Sequence, residues 1–323
     1  MKKTTWLLCG LFLFCCTINQ AFSQKFIDGY YNYRWQGTPS REDASFQSHA
    51  INTDSGWYRI DYFLSSPKSS YQMIGLYQDK ENKVGNGTFR WYYPNGRLKQ
   101  FGKYVLGKKE GTWLSWYANG APRDSANYIH GLRSGISMSW YKDGNSMDSV
   151  NMNEDGFGTF VSWFDNGFPA SAGRYQHFLK SGKWVYYHRN GKPSALEVYD
   201  ADTLKTAMYF DENGAKQDSA LQDASPMFKG GRKAWNNYLG NNLHFPPNLD
   251  IVNSDHVVVV VDATIDEDGH VVDAIISVPF HPAFEKEALR CLSTAPAWIP
   301  AISHNRKVQG TYSLAVEFGQ GYQ

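Results

Sequence analysis

A ten-residue pattern that returns at a nearly fixed interval constrains this chain more than any other feature. The pattern GTWLSWYANG spans Gly111–Gly120. Its other clear copies are GTFRWYYPNG, GISMSWYKDG, GTFVSWFDNG and GKWVYYHRNG, which begin at Gly87, Gly135, Gly158 and Gly182. From first to last, successive copies are offset by 24, 24, 23 and 24 residues. A period of this length is typical of a repeat architecture, in which units are stable only when they stack on neighbours.

Alternation within one copy predicts a β-strand followed by a tight turn. Trp113 and Tyr117 point to one side of an extended chain, and Trp116 points to the other. Asn119-Gly120 follows, and this dipeptide predicts a type I′ hairpin turn because both residues accept positive φ. A second strand comes next in each unit. Each unit is therefore predicted to be one β-hairpin, and residues 85–217 a long antiparallel meander.

The repeated aromatic residues are predicted to be structural. An isolated hairpin is marginal in water, so the units must stack, and large rings at fixed repeat positions supply apolar surface to bury. The alternative is a sugar-binding face, since Trp and Tyr rings stack on sugars. The residues assigned to the repeat core and turn are Trp113, Trp116, Tyr117, Gly120, Trp140, Trp163 and Trp184.

Residues 24–84 are predicted to be a degenerate first unit that caps the array. Ile74-Gly75-Leu76-Tyr77 matches Phe101-Gly102-Lys103-Tyr104 one unit later, and terminal repeats are commonly atypical. Residues 57–63 alternate and predict a strand, and residues 26–35 are a further strand candidate. Residues 39–50 have weak helical character. Residues 218–225, after the array, are polar and predict a linker.

The first 23 residues are predicted to be an export signal. Lys2 and Lys3 precede an apolar run from Trp6 to Cys16, which is shorter than the about 20 residues of a membrane span. Ala21-Phe22-Ser23 fits a cleavage site. Lipidation at Cys15 or Cys16 and an uncleaved anchor are the alternatives. The predicted location is the periplasm or the outer membrane, or the inner membrane if an anchor is kept.

Charge and cysteine content argue against a nucleic-acid-binding protein and against a disulfide-stabilised fold. The net charge of +1 provides no overall electrostatic attraction for nucleic acid. Cys291 is the one cysteine outside the signal, so the exported chain is expected to be stable through packing without an internal disulfide. Its thiol lies in a predicted helix and is interpreted as a small buried apolar group.

Motifs that carry chemistry are not found. The nine histidines have no metal-ligand or nucleophile spacing, and no HExxH, GxSxG or Walker sequence is present. Asp266-x-Asp268-Gly269 predicts a turn, because the further acids of a calcium loop are missing. No enzymatic activity, cofactor or metal is expected.

Residues 226–319 predict a small α+β domain. Trp235, Tyr238 and Leu239 have helical spacing, and Pro246-Pro247 ends that helix. Residues 256–265 and 271–278 predict two strands joined by a turn, residues 283–293 a second helix, and residues 310–318 a final strand. The order α-β-β-α-β predicts helices on one face of an antiparallel sheet. The whole chain is thus predicted to be mainly β, with a hairpin meander followed by this domain.

The repeat resembles the MORN repeat, and more closely the bacterial MORN-like arrays of the YwqK antitoxin type, whose unit runs roughly G-x-W-x-x-Y-Y-x-N-G. The resemblance covers about residues 50–217. It implies a scaffold or an interaction surface.

Residues 226–319 resemble the C-terminal domain of the TonB family. The matching sequences are Phe228-x-Gly-Gly231, Phe245-Pro246, the Asp266–Gly269 turn and Pro296-x-Trp298-x-Pro300. Members of that family use the edge strand of this sheet to pair with a short extended segment of an outer-membrane receptor, the TonB box. The resemblance implies a protein partner, and it places on the edge Thr311, Tyr312, Ser313, Leu314, Ala315, Val316, Glu317 and Phe318.

The chain departs from the energy-transducing members of that family at its N-terminal side. Those members have a firm membrane anchor and a long Pro-rich spacer, whereas this chain has a predicted cleavable signal and a β array. The expected function is a non-enzymatic interaction protein of the cell envelope that pairs with an extended segment of an outer-membrane or periplasmic partner. The alternatives are an energy transducer for transmembrane transport with an uncleaved anchor, and a glycan-binding repeat module.

Overall fold

A computed structural model of the chain describes residues 26–65, 68–251 and 254–319. The predicted signal or anchor lies outside the described residues. Within those three ranges, neither helix has the length and apolar character needed to cross a membrane.

Eighteen strands form one antiparallel sheet in which each strand pairs chiefly with its neighbours in sequence. The predicted meander is therefore confirmed. The strands are β1 Phe26–Tyr31, β2 Gly37–Thr38, β3 Phe46–Thr53, β4 Gly56–Phe63, β5 Ser70–Tyr77, β6 Gly87–Tyr92, β7 Leu98–Val105, β8 Lys108–Trp116, β9 Pro122–Ile129, β10 Leu132–Arg133, β11 Gly135–Trp140, β12 Ser146–Met152, β13 Gly158–Trp163, β14 Pro169–Gln176, β15 Leu179–Tyr187, β16 Pro193–Asp200, β17 Thr203–Phe210 and β18 Lys216–Gln217.

The core of the array is built from an aromatic ring laid over a glycine on the adjacent strand. The Trp113 ring covers Gly102 so closely that a Cβ on Gly102 would lie 2.2 Å from the indole. Trp184 covers Gly173 in the same way, at 2.0 Å. Trp113 and Trp184 are 1% and 2% exposed, so both are core residues.

Two kinds of turn join the strands, and the predicted assignment of turn types is wrong. At Asn119-Gly120, Gly120 N–H donates to Tyr117 O and Tyr117 N–H donates to Ala121 O, each at 2.8 Å, and in this pair positive φ occurs at Gly120 alone. This is a three-residue loop with a glycine bulge. Asn119 instead uses its side-chain oxygen to accept Ala121 N–H.

Consecutive positive φ angles, the signature of type I′ turns, occur at the connections between units. They are found at Leu106-Gly107, with φ of 48° and 78°, and at His177-Phe178, with φ of 52° and 67°. These two-residue turns link one unit to the next and place the first strand of the later unit directly beside the last strand of the unit before it. The β12–β13 connection differs, because Asn153–Phe157 has the hydrogen bonds of the glycine-bulge loop.

The N-terminal cap is entirely β. Residues 39–50 contain no helix, and the second half of this stretch belongs to β3, which pairs with β4 from Phe46↔Phe63 to Thr53↔Gly56. The weak helical pattern is overridden because Phe46, Ser48 and Ala50 alternate into the buried side of the sheet. Gly75 of β5 lies under Phe89, as expected for a degenerate repeat unit.

After the array, the described residues form two helices and five strands. They are α1 Gly231–Asn242, β19 His256–Ile265, β20 Val271–Val278, α2 Pro282–Ser293, β21 Ala301–Ser303, β22 Arg306–Val308 and β23 Gly310–Gly319. A three-stranded antiparallel sheet has the order β20-β19-β23. One face of β19 packs on the helices through Val259, Val261 and Ala263, all 0% exposed.

The short β21–β22 hairpin was not predicted. Its turn residues, His304 and Asn305, have φ of 49° and 63°. Residues 218–225, predicted as a linker, are hydrogen-bonded along this hairpin. Leu221 N–H donates to the Asn305 side chain at 2.8 Å, and Ala224 forms a β-bridge with Ile302.

The other face of the small sheet lies against the array. Val278 at the end of β20 is buried in a cluster with Phe46 and Phe63 of the cap. Asp273 of β20 pairs with Lys142 of the array, Nζ to Oδ1 at 2.8 Å. The small sheet is thus enclosed by its own helices on one face and by the array on the β20 side of the other.

Candidate functional site

Strand β23 is the accessible edge of the small sheet. It pairs with β19 along its full length, from Gly310↔Ile265 to Gly319↔His256, and within the described residues no strand pairs with its other edge. The residues predicted to bind a partner, Thr311–Phe318, all lie on this strand.

Side chains of β23 alternate between the core and solvent. Leu314, Val316 and Phe318 are buried against the helices, and the intervening side chains of Ala315 and Glu317 are exposed. A segment added to this edge would therefore meet free backbone groups on a strand whose position is fixed by its own core.

The opposite edge strand, β20, is less accessible. Along it, Val272 is the one exposed residue, and the remainder are half-buried or buried between α2, the cap and the array. Its Asp273 side chain is held by Lys142. The packing against the array therefore covers one edge of the small sheet and leaves the other free.

The C-terminal part is fixed to the array by the β21–β22 hairpin and its turn, residues 301–308, which we call the docking hairpin. The His304 ring stacks on the Tyr186 ring with centroids 3.6 Å apart and planes 11° apart. Asn305 is 3% exposed, and its amide donates to Phe210 O and to the Gln217 side chain, each at 3.0 Å. Such buried and fully paired polar contacts specify one geometry.

Arg306 of the docking hairpin is also buried, at 8% exposure. Its guanidinium donates to Tyr187 O at 2.6 Å and to Ala170 O. Burial lowers the pKa of Arg306 to about 10, which leaves it charged at neutral pH. A charged donor on two buried carbonyl oxygens is a strong contact that is costly to lose.

Glu197 is the acidic partner in this interface. It is 4% exposed, and it accepts hydrogen bonds from Tyr199 at 2.6 Å and from His304 at 3.0 Å. Burial acts to raise the pKa of Glu197, but these hydrogen bonds outweigh it and hold the pKa below its ordinary value. The carboxylate is therefore ionised at neutral pH and accepts from Tyr199 of the array and from His304 of the docking hairpin.

The repeat residues selected from the sequence divide between the two faces of the array. Trp113 and Trp184 are buried on the face that carries the docked part, whereas Trp116, Trp140 and Trp163 alternate to the other face and are half-buried. Tyr117 donates its hydroxyl to Trp140 O at 2.7 Å.

Residues 86–104 match the MORN repeat variant. The matched segment contains β6, its turn and most of β7, which is one MORN hairpin.

A comparison with curated proteins finds no match to the chain. Neighbouring hairpins of the array are built in the same way as the matched one. Tyr93 of the matched hairpin donates to Trp116 O at 2.8 Å, and Tyr141 donates to Trp163 O at 2.9 Å. These hydroxyl contacts of Tyr93, Tyr117 and Tyr141 connect successive MORN-like hairpins. They were not predicted from the sequence, although these three tyrosines stand at the same position before Asn95-Gly96, Asn119-Gly120 and Asp143-Gly144.

Outside these contacts, the described ranges contain few side chains that could act as a nucleophile or bind a metal ion. Cys291 is 0% exposed, and burial raises the pKa of its thiol, which disfavours the reactive thiolate. Ligand atoms of Asp266, Asp268 and His270 lie within 4.8 Å of one another. This is fewer than the six to eight ligands of a typical calcium site, and an Asp266 oxygen already accepts Asp268 N–H and His270 N–H.

Proposed function

We propose that this chain is a non-enzymatic interaction protein of the cell envelope. Its C-terminal part, which resembles the TonB family domain, binds an extended segment of an outer-membrane or periplasmic protein by adding that segment to β23. The array acts as the support that holds the binding strand in place.

The proposal rests on the edge of β23 that is unpaired within the described residues. Natural proteins protect edge strands with charged residues, proline, bulges or a covering element. β23 is ten residues long, and Glu317 is its one charged side chain. Its ladder to β19 runs from Gly310 to Gly319 without a register shift. A long, regular and uncovered edge is suited to strand addition, in which backbone hydrogen bonds give affinity and alternate side chains give selectivity.

The docking hairpin supports the role given to the array. Arg306 and Asn305 are buried in contacts with β14–β18 of the array and the segments beside them. A segment that only tethers a binding domain needs no such contacts. The array therefore acts as a rigid support for the C-terminal part. This favours a protein that holds β23 in a fixed position over one that carries its binding domain on a flexible tether.

Site-specific photo-crosslinking tests the proposal. A photoreactive residue at Ala315, an exposed position of β23, is expected to crosslink to an extended segment of an outer-membrane or periplasmic protein. The matched control is the same residue at Val272, which is 55% exposed on the opposite edge strand. Equal crosslinking from both positions, or none from Ala315, would refute strand addition at β23.

The energy-transducer alternative differs at the N-terminus. It requires that residues 1–23 remain as an anchor, whereas the proposal requires a chain that begins at Gln24. Intact mass measurement of the protein purified from the envelope separates the two. A mass that includes Met1 would favour the transducer.

A further inference from the structure

A cleft of about 290 Å³ opens where the cap, the array and the small sheet meet. The cap contributes Tyr33, Trp35 and Gln72, the array contributes Trp91 and Gln100, and the end of β20 contributes Ser277. Small-molecule sites commonly lie between domains. This cleft is separate from β23, which is on the far side of β19.

The lining of the cleft has the composition of a saccharide site. Seven of its thirteen lining residues are aromatic. Phe46, Phe63 and Tyr93 are buried, so the flat apolar surface open to the C–H face of a sugar ring comes from the other four. The amides of Gln72 and Gln100 and the hydroxyl of Ser277 provide donors and acceptors for ring hydroxyls. Lys99 is the one charged lining residue, so the cleft favours a neutral or acidic ligand over a cation.

Trp35 occupies a position where the array uses glycine. In the turn Asn32–Gln36, Trp35 N–H donates to Asn32 O, and Asn32 N–H donates to Gln36 O. The turn Tyr93–Arg97 has the same two hydrogen bonds with Gly96 in that place. Trp35 has φ of 59°, a left-handed conformation that costs a residue with a Cβ roughly 1–2 kcal/mol.

Burial accounts for only part of this strained tryptophan, which also contacts Tyr31 and the Arg59 guanidinium. Trp35 is 39% exposed and stacks one face on Phe46 with ring centroids 4.3 Å apart. An exposed aromatic side chain held in an unfavourable backbone conformation beside a cleft points to a role in contacting a ligand.

We propose that this cleft binds a neutral or acidic saccharide residue, with Trp35 as the stacking platform and the Gln100 amide as a hydrogen-bonding group. The site differs from a glycan face made of the repeated tryptophans, because Trp113 and Trp184 are buried in the array core. It gives the chain a second ligand class, independent of strand addition at β23.

Isothermal titration calorimetry on the full mature chain tests the proposal. The probes are glucose, galactose, N-acetylglucosamine and glucuronate, each also as a disaccharide, with choline as the cation control. We expect saturable binding of at least one saccharide with Kd in about the millimolar range, which corresponds to about −4 kcal/mol.

Three variants locate the binding. Trp35→Gly restores the residue that the Tyr93–Arg97 turn uses, so the fold is kept, and it is expected to weaken binding at least about tenfold, as is Gln100→Leu. Tyr58→Ala is the matched control, because Tyr58 is also 39% exposed but does not line the cleft. Absence of binding by every saccharide, tighter binding of choline, or wild-type affinity in the Trp35→Gly or the Gln100→Leu variant would overturn the proposal.

Discussion

The guanidinium of Arg306 lies over the ring of Phe164, 5.2 Å from its centroid. Phe164 occupies the repeat position at which Tyr93, Tyr117 and Tyr141 donate a hydroxyl to a carbonyl oxygen of the next unit. Phenylalanine has no hydroxyl, and the corresponding carbonyl, that of Tyr187, accepts from Arg306 instead. The C-terminal part thus supplies the hydrogen bond that the array lacks at this one unit.

This relationship predicts a compensating pair of substitutions. Arg306→Leu leaves the carbonyls of Tyr187 and Ala170 without their donor and is expected to cost about 1–3 kcal/mol for each acceptor that stays buried. Adding Phe164→Tyr to that variant supplies a hydroxyl to Tyr187 O and is expected to recover part of the loss. Urea unfolding of the two single variants and the double variant measures the coupling.

Lys307→Ala is the control for this cycle, because Lys307 is the exposed neighbour of Arg306. It is expected to leave the urea midpoint within experimental error of wild type. Strictly additive effects of Arg306→Leu and Phe164→Tyr would contradict the interpretation that the Arg306 guanidinium takes the place of a tyrosine hydroxyl as the donor to Tyr187 O.

The buried tryptophan of the array is expected to dominate its stability. Trp113→Ala should cost roughly 3–5 kcal/mol, the range for large core aromatics. Trp116→Ala, three residues along on the other face and half-buried, should cost less than half as much because less apolar area is lost. Thermal melts of the two variants provide the comparison, and equal losses would show that Trp113 is not a core residue.

The glycine beneath each aromatic ring is expected to be required for its lack of a side chain. Gly102→Ala places a Cβ 2.2 Å from the Trp113 ring, so the ring must move, and overpacking of this kind costs about 1–3 kcal/mol. Gly240→Ala in α1 is the control. No heavy atom lies within 4 Å of its added Cβ, and alanine is favoured over glycine in a helix by about 0.5–1 kcal/mol. Chemical denaturation of both variants should give shifts of opposite sign, and a stabilised Gly102→Ala variant would contradict the packing.

Docking is expected to weaken in acid through Glu197. The pKa of this carboxyl is below its ordinary value of 4.5 in the folded chain, so its contribution is present above about pH 4.5 and is lost as the pH falls through the folded pKa. Glu197→Gln should therefore destabilise the chain at neutral pH, and the difference from wild type should shrink in acid. Urea midpoints at about pH 7 and at a series of successively lower pH values below about 4.5 test this, and a difference that stays constant over the whole series would contradict it.

Secondary structure of the C-terminal part follows closely from its local sequence. Predicted strands at residues 256–265 and 271–278 coincide with β19 and β20. The alternating burial of His256–Ile265 and the turn at Asp266–Gly269 are compatible with few structures other than a β-hairpin. Gly269 shows why the turn is specific, since its φ is 89° and a Cβ there would lie 2.1 Å from Trp298 O.

Contacts between distant parts of the chain could not be predicted in this way. Arg306 lies in a three-residue strand that is too short to show a periodic pattern. Its partners are backbone carbonyl groups, which every residue has, so the sequence does not reveal them. Asn119-Gly120 shows a second limit. The dipeptide indicates a turn, but whether Asn adopts positive φ depends on the side-chain hydrogen bond to Ala121 N–H. Trp35 shows a third, because its left-handed conformation is set by the turn around it.

Amide hydrogen exchange at β23 tests the central claim most directly. The full chain is measured alone and with a peptide from the extended segment that crosslinks to Ala315. We expect alternate amides of Thr311–Phe318 to exchange quickly in the free chain and to become protected when the peptide binds, because antiparallel or parallel pairing uses every second residue of the edge. Peptide binding that leaves the exchange of these amides unchanged would contradict strand addition at β23.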